Sequence, residues 1–224
     1  MKIAYQGIEG SYSDSCARKK YPDCETISCK TFDEVFTKAN ENENIRAIIP
    51  ESNKTTGNIG VEYLIFKYRL NICAEHFYPI HHHLLGLPGT KLGDIRNVYS
   101  HAQGLSQCSN FIKTNNLVEN VRADTAGSAK YISEKKNKND VAIASKESAK
   151  IYNLDVLASD IADEKENVTR FLIFSKKISQ PDYGKGKYIT SLLFRLKSKP
   201  AALYSALSGF AIQGVNLTKL QSYP

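Results

Sequence analysis

Short apolar runs of strand length alternate with helical patterns over most of this chain of 224 residues. Five apolar runs are predicted to be strands, at residues 3–5, 47–49, 97–100, 141–144 and 171–174. Helices are predicted between them, at residues 31–40, 57–68, 102–113, 125–135 and 146–152. Alternation of strands and helices is typical of an α/β fold with mainly parallel strands, so we predict that class for the greater part of the chain.

The charge of the chain narrows the choice of partner only slightly. A formal net charge of +7 would suit nucleic acid, a membrane surface or a small anionic substrate. The lysine runs at residues 135–138 and 185–187 contain no interleaved aromatic residues, so we interpret them as solvated turns. Nucleic-acid binding, which would depend on net charge alone, is therefore only a third hypothesis, and we predict no nucleic-acid partner.

Cysteine and histidine usage indicates a reducing compartment and argues against a metal site in the protein. The five cysteines include no C-x-x-C pair, which argues against a disulfide framework and a zinc site. Adjacent residues of a strand face opposite sides, so His81, His82 and His83 cannot all converge on one ion. One or two of them are interpreted instead as half-buried histidines beside Leu84 and Leu85. The first residues do not resemble a signal peptide, and no apolar run has transmembrane length. We predict a cytoplasmic protein with no metal and no membrane contact.

Five predicted loops are rich in hydroxyl and amide groups and follow predicted strands or precede helices. They lie at residues 6–13, 50–57, 100–108, 123–127 and 167–171. Helix capping or turn formation is sufficient to explain each loop alone. Open α/β sheets bind ligands at the carboxyl ends of their strands, and helix N-termini attract carboxylates. Together, the five loops predict a polar cleft for a small anion.

Several short motifs recur in a fixed order along residues 1–175. They are G-I-E-G-S-Y-S at 7–13, P-E-S-N-K-T-T-G at 50–57, L-L-G-L-P-G at 84–89, S-H-A-Q-G-L-S-Q-C at 100–108, A-D-T-A-G at 123–127, A-S at 144–145 and N-V-T-R-F at 167–171. In order and spacing they resemble the prephenate dehydratase family. The resemblance implies a two-lobed catalytic region over residues 1–178, similar to the type II periplasmic binding protein fold. Lobe A would comprise residues 1–78 and 160–178, and lobe B residues 79–159.

The resemblance also implies a carbon–oxygen lyase that needs no cofactor. The reaction would be the decarboxylating dehydration of prephenate to phenylpyruvate, CO₂ and water in phenylalanine biosynthesis, with general-acid assistance to the departing hydroxyl. The implied catalytic residues are Thr169, which would assist that departure, with Asn53, Ser100 and Gln107. The implied substrate-binding residues are Ser11, Ser13, Thr125, Arg170 and Phe171. Arg170 could instead brace the fold.

One motif departs from the family pattern, and this leaves alternatives open. The family's Glu-Asn-Ser is Ser52-Asn53-Lys54 here, so an acid and a serine are lost. The missing acid could leave Asp124 without a hydrogen-bonded partner. The alternatives to a prephenate dehydratase are an arogenate dehydratase and a decayed, non-catalytic two-lobed protein that binds an aromatic or dicarboxylate ligand.

The C-terminal segment is predicted to be a separate, incomplete module. Residues 179–187 read as a linker, and a strand (188–196), a helix (201–210) and a second strand (215–222) follow. The segment resembles the first part of an α+β ACT regulatory domain, which implies a homodimer that binds L-phenylalanine. The corresponding effector positions are Ala201, Ala202, Leu203, Asn216, Gln221 and Ser222. Substitutions at these positions and the shortened module predict weak L-phenylalanine binding.

Overall fold

The computed structural model describes residues 1–55, 57–60, 62–178 and 188–222. The chain divides into two compact units, Met1–Asp182 and Tyr183–Pro224, called unit 1 and unit 2 below. The linker predicted at residues 179–187 lies outside the described residues. No helix in the described part of the chain is both long enough and apolar enough to cross a membrane.

Unit 1 is built from alternating strands and helices. Its strands are β1 (Lys2–Gln6), β2 (Glu25–Cys29), β3 (Ile45–Asn53), β4 (Gly57–Asn58), β5 (Asn71–Pro79), β6 (His83–Gly86), β7 (Asn97–His101), β8 (Val118–Arg122), β9 (Asp140–Ala144), β10 (Asp155–Ala158) and β11 (Val168–Ser175). Its helices are α1 (Tyr12–Lys20), α2 (Phe32–Glu41), α3 (Glu62–Tyr68), α4 (Ala102–Ser106), α5 (Ser109–Thr114), α6 (Thr125–Lys135) and α7 (Lys146–Ile151), with a 3₁₀ turn at Leu92–Asp94.

These strands form two separate sheets, one for each lobe of a two-lobed α/β fold. The first sheet has the order β2-β1-β3-β11-β5 with β4 paired to β3, and the second has the order β10-β6-β9-β7-β8. The expectation of mainly parallel strands was wrong, because both sheets are mixed. In the first sheet β1 runs parallel to β2 and β3, whereas β11 runs antiparallel to both of its neighbours. The reversal arises because the chain leaves this sheet through β5, builds the second sheet and returns through β11.

Both sheets are covered by helices on both faces, as their alternating side chains require. In the first sheet Ile49 and Phe174 pack against α2 and α3, whereas Ile48 and Phe171 face α1 on the other side. In the second sheet one face packs against α4 and α5, and the opposite face packs against α6 and α7. The ends of the central strands are consequently the places where polar side chains can meet.

The predicted secondary structure of unit 1 is largely confirmed, with differences that matter for the site. Each of the five predicted strands lies inside an observed strand, and the helix predicted at 125–135 is α6. The helix predicted at 57–68 begins only at Glu62. The helix predicted at 102–113 is two short helices with a break at Gln107 and Cys108. Strand β11 begins at Val168, so Thr169 and Arg170 belong to the strand and not to a preceding loop.

Unit 2 contains one regular element among its described residues, helix α8 (Ala202–Ile212). The helix predicted at 201–210 is therefore confirmed to within two residues. The strands predicted at 188–196 and 215–222 were wrong, since neither stretch is a strand. A strand needs a neighbour to pair with its backbone N–H and C=O groups, and the described part of unit 2 supplies none.

Candidate active site

Asn53 and Thr169 lie directly opposite each other on neighbouring strands. Asn53 is the last residue of β3, Thr169 is the second residue of β11, and the antiparallel register pairs them. Both side chains are buried, and Asn53 Nδ2 donates a hydrogen bond to Thr169 Oγ1 over 2.7 Å. Two residues that were predicted from motifs far apart in the sequence are thus in direct contact.

This pair belongs to a larger set of hydrogen-bonded side chains, here called the amide network: Asn53, Thr55, Gln107, Asn167 and Thr169. Asn53 Nδ2 also donates to Asn167 Oδ1 over 2.7 Å, and Thr55 Oγ1 donates to Asn53 Oδ1 over 2.5 Å. Gln107 Nε2 donates to Thr55 Oγ1 over 2.6 Å, while Gln107 Oε1 accepts from Asn167 Nδ2 over 3.1 Å. The network is therefore a closed ring of side chains with Thr169 attached to it through Asn53.

The amide network joins the two lobes. Asn53 and Thr169 belong to the first sheet, whereas Gln107 follows α4, which packs on the second sheet. The break between α4 and α5 leaves Gln107 at the end of a helix, where its side chain reaches across to Thr55 and Asn167. Sequence reasoning named three members of the network and missed Thr55 and Asn167, although both lie in the polar loops that it singled out.

The contact with Asn53 explains how a threonine hydroxyl can assist an acid-catalysed step. Because Asn53 donates to Thr169 Oγ1, the hydroxyl oxygen accepts and its hydrogen can be given to another group. A hydrogen bond to a charged oxygen contributes about 1.5–3 kcal/mol, which corresponds to roughly one to two pKa units for an oxyanion. Asn53 would thus stabilise negative charge that develops on Thr169 during proton donation.

His82 contacts the amide network from the side of the second sheet. Its Nε2 atom lies 2.8 Å from Gln107 Oε1, and its Nδ1 atom lies 2.9 Å from the Tyr12 hydroxyl. The ring is 3% exposed, and this burial lowers the pKa of His82 below its usual value. Sequence analysis described the histidine run as structural and did not foresee this contact with the site.

Of the three predicted site serines, Ser11 and Ser100 have structural hydrogen-bond partners, and Ser13 is buried. Ser11 caps α1 by accepting from the Asp14 N–H over 3.3 Å, and Ser13 is buried in the first turn of that helix. Ser100 is fully buried and donates to the Ile143 carbonyl over 2.8 Å, so its hydroxyl hydrogen is engaged within the second sheet. A catalytic role for Ser100 remains a prediction, and its geometry favours holding β7 against β9.

Arg170 and Phe171 lie beside the site, but their side chains contact other parts of the chain. Arg170 forms ion pairs with Glu75 at 2.7 Å and with Glu51 at 3.5 Å, and Phe171 is 1% exposed within the core between the first sheet and α1. Arg170 therefore braces β11 against its neighbouring strands, which was the alternative interpretation of this residue. Their roles in substrate binding remain predictions.

The side chains of the two residues that depart from the family pattern, Ser52 and Lys54, are bonded to groups other than Thr169. Ser52 donates to Glu51 over 2.5 Å, and Lys54 is paired with Glu166 at the surface. Asp124 is not left without a partner, because its carboxylate accepts the Gly127 N–H over 2.5 Å and caps α6. Thr125 follows it as the first residue of α6.

The predicted effector residues all lie in unit 2. Ala201, Ala202 and Leu203 form the start of α8, and Ala201 has a left-handed backbone with φ of 62°. Asn216, Gln221 and Ser222 are exposed in the irregular segment after the helix. The ACT-like pairing of strands around this helix is not formed within the described residues of unit 2.

Similarity to known proteins agrees with this geometry. A family model described as prephenate dehydratase matches residues 3–179. Arogenate dehydratase 2 of Petunia hybrida is 41% identical over 100% of this chain, which spans 57% of that relative's length. Arogenate dehydratase/prephenate dehydratase 2 of Arabidopsis thaliana, a chloroplastic protein, is 39% identical over 100% of this chain and 59% of its own length.

A shorter relative and two solved structures extend the comparison. A bifunctional N-acyl-homoserine lactone acylase/prephenate dehydratase of Komagataeibacter europaeus is 37% identical over 99% of this chain and 79% of its own length. The prephenate dehydratase of Arthrobacter aurescens in complex with L-phenylalanine superposes with a TM-score of 0.86 at 25% identity, over 100% of this chain and 76% of that one. A quorum-quenching acylase superposes with a TM-score of 0.84 at 32% identity, over 100% and 82%. On these matches and on the motifs that meet around Thr169, the chain belongs to the prephenate dehydratase family.

Proposed function

We propose that the chain catalyses the decarboxylating dehydration of prephenate to phenylpyruvate, CO₂ and water. The observation that carries the proposal is the buried hydrogen bond from Asn53 Nδ2 to Thr169 Oγ1. It orients the threonine as a proton donor at the boundary between two lobes. Membership of the prephenate dehydratase family supports the assignment.

In the proposed reaction, two bonds of the substrate break and a water molecule forms. The bond between the ring and its carboxylate breaks to release CO₂, and its electron pair enters the ring, which becomes aromatic. The C4–oxygen bond breaks, and the departing oxygen takes the hydroxyl proton of Thr169 to leave as water. The Asn53 N–H stabilises the resulting negative charge on Thr169 until a proton from water restores the hydroxyl. Aromatisation supplies the driving force.

Substrate binding would depend mainly on positioning groups from both lobes. Ser13 and Thr125 lie in the first turns of α1 and α6, where backbone N–H groups and the helix dipole favour a carboxylate. We propose them, with Ser11, as contacts for the carboxylates of the substrate. Arg170 would act indirectly, because its guanidinium is already engaged by Glu51 and Glu75.

Arogenate is the second candidate substrate, because the petunia and Arabidopsis relatives carry that name. It has the same ring chemistry as prephenate and differs in carrying an amino group in place of the side-chain keto group. Thr169 could therefore serve either substrate. A decayed binding protein is disfavoured, since the Asn53–Thr169 contact is intact and the side chains of Ser52 and Lys54 are bonded to Glu51 and Glu166.

We further propose the extent and setting of the protein. The catalytic region comprises residues 1–178, with lobe A at 1–78 and 160–178 and lobe B at 79–159. Residues 188–224 form an ACT-like regulatory region that binds L-phenylalanine weakly, because Ala201 and Gln221 replace the family's glycine and acid. The protein acts as a homodimer in the cytoplasm, and its five free cysteines favour a reducing compartment.

A turnover assay with each substrate tests this function. Purified protein is incubated separately with prephenate and with arogenate, and the products phenylpyruvate and phenylalanine are quantified over time. We expect turnover of at least one substrate, and the ratio of the two kcat/KM values identifies the preferred one. Turnover of neither substrate by a folded protein would contradict the proposal.

A further inference from the structure

Two chain segments connect the lobes, and they are bonded to each other beside the amide network. The first connects β5 to β6 and contains His82, and the second connects β10 to β11 and contains Asn167. The Ile80 N–H donates to the Asn167 carbonyl over 2.8 Å, and the Ile161 N–H donates to the His82 carbonyl over 2.9 Å. The side chains of both connectors meet at Gln107, which accepts from Asn167 and contacts His82.

One backbone group fixes the orientation of every amide in this network. The Thr55 N–H donates to Asn53 Oδ1 over 3.0 Å, so the other end of that side chain, Nδ2, must face Asn167 and Thr169. Asn167 therefore presents Oδ1 to Asn53 and Nδ2 to Gln107. Gln107 in turn presents Oε1 to both Asn167 and His82, and its Nε2 to Thr55. No amide in this ring can be reversed without losing a hydrogen bond.

The same reasoning assigns the proton on His82. Because Gln107 Oε1 can only accept, His82 Nε2 must carry the hydrogen that lies between them. Burial keeps the pKa of the ring low, so the ring is neutral at pH 7 and Nδ1 is an acceptor. Tyr12 is the partner on that side: its hydroxyl lies 2.9 Å from His82 Nδ1 and 2.7 Å from the His81 carbonyl, so these two acceptors share the one hydroxyl hydrogen.

We propose that His82 is a positioning residue whose Nε2–H fixes the Gln107 amide and, through Asn167 and Thr55, holds the Asn53 N–H on the Thr169 hydroxyl. The inference rests on the proposed function, because the step that it supports is proton donation by Thr169. Gln107 has two hydrogen bonds to its oxygen and one from its nitrogen in this arrangement. Removing the His82 donor takes away one of the two hydrogen bonds to Gln107 Oε1 and so weakens the restraint that Gln107 places on Asn53.

A purely structural role for His82 makes a different prediction, and two substitutions separate the roles. The ring packs edge-on against Tyr12 with centroids 5.6 Å apart, so its loss could simply loosen the fold. A glutamine at this position can place an N–H near the site of Nε2, whereas an asparagine reaches only to the site of Nδ1. His82→Gln thus keeps the donor to Gln107, and His82→Asn keeps a polar group near Tyr12 alone.

We expect kcat to depend on which nitrogen position is kept. His82→Gln should retain kcat within about fivefold, whereas His82→Asn should lose roughly tenfold to hundredfold, as for loss of one buried donor. KM should change by less than about threefold in both, because no substrate group contacts His82 in this scheme. His81→Asn is the matched control, since His81 pairs with Asp160 at the surface and should leave kcat unchanged. Equal losses in His82→Gln and His82→Asn would overturn the proposal.

A measurement that needs no turnover distinguishes failure of this inference from failure of the proposed function. Nitrogen-15 NMR of uniformly labelled protein reports the tautomer of each of the five histidines together with the side-chain amides of asparagine and glutamine, with His82 assigned from the spectrum of His82→Gln. We expect the neutral Nε2–H tautomer, and we expect the side-chain amide signals of Gln107 and Asn167 to shift in His82→Asn and not in His82→Gln. If the wild type turns over neither substrate, these spectra still test the network. A Nδ1–H tautomer contradicts the inference whatever the activity.

Discussion

Unit 1 buries a large set of apolar side chains, whereas the described residues of unit 2 bury none completely. Phe36 and Phe174 are completely buried in unit 1 and lie against each other with ring centroids 5.0 Å apart. In unit 2, no described residue is buried, and Tyr204 and Ile212 on α8 are 76% and 80% exposed. Both units have apolar sequence patterns, so the pattern alone does not decide whether a segment builds a core.

The two units differ in the helices and strands that are available to cover their apolar side chains. In unit 1, helices cover both faces of each sheet, so central strands such as β3 and β11 bury apolar side chains on both faces. In unit 2, the described residues offer one helix and no paired strand. Burial of apolar surface contributes about 25 cal/mol per Å², and unit 2 gains little of it from its own contacts. Its stability within the chain should therefore be far lower than that of unit 1.

Amide hydrogen exchange should show the largest difference between the units. The backbone amides of β9 and β11 pair within buried sheets and exchange only through extensive unfolding. We expect them to exchange at least about a thousandfold more slowly than the amides of residues 188–222. Mass spectrometry of exchanged peptides measures both sets in one experiment. Comparable protection of the two sets would contradict the comparison.

Removing the Thr169 hydroxyl should abolish most activity without unfolding unit 1. General-acid catalysis typically contributes about a hundredfold to ten-thousandfold, so we expect Thr169→Ala to reduce kcat by that order. Thr169→Ser is the matched control because it keeps the oxygen that accepts from Asn53. Circular dichroism and thermal unfolding check that both variants fold. A kcat for Thr169→Ala near the wild-type value would exclude Thr169 as the proton donor.

Truncating one aromatic side chain in each unit compares how much each side chain contributes to the free energy of unfolding. Phe174 lies on β11 and is fully buried against α2, so Phe174→Ala should lower the free energy of unfolding by about 3–5 kcal/mol. Tyr204→Ala, at a residue that is 76% exposed, should change it by less than about 0.5 kcal/mol. Urea denaturation measures both. A large effect at Tyr204 would indicate that α8 has a packing partner, for example in an oligomer.

Ala201→Gly should produce the smallest effect, and in the stabilising direction. Ala201 has φ of 62°, a left-handed conformation that costs a residue with Cβ about 1 kcal/mol and costs glycine little. We expect the glycine to slow amide exchange in α8 by roughly threefold to fivefold. Ala202→Gly, inside the helix, should have the opposite effect because glycine is a poor helix former. Faster exchange in Ala201→Gly would contradict the strain argument.

The fold of unit 1 could be predicted where local pattern and long-range pairing agree. The run Phe171–Phe174 is apolar and β-forming, and the Asp124 cap marks the start of α6, so these elements followed from the sequence. Strand β8 has no such run, since its sequence is V-E-N-V-R and none of its five residues is buried. Its pairing with β7 gives it its conformation.

The candidate site was predictable in its residue types and not in its connections. Asn53 and Thr169 stood out as polar groups beside buried strands. Their contact depends on a strand pairing across 116 positions, which no local pattern contains. The same limit hid the link from His82 to Gln107, because the connector that carries His82 is positioned by the second connector.

The insertion of β11 between β3 and β5 has a consequence for the order in which the chain folds. All strands of the second sheet lie within residues 83–158, so this sheet can assemble as soon as that stretch has been synthesised. The first sheet stays open until β11 arrives, although β3 and β5 are made much earlier. Such distant pairing slows folding, and the unpaired edges of β3 and β5 are open to wrong partners meanwhile. Because Thr169 arrives on β11 itself, the nascent chain acquires its proposed proton donor in the same step that closes the sheet.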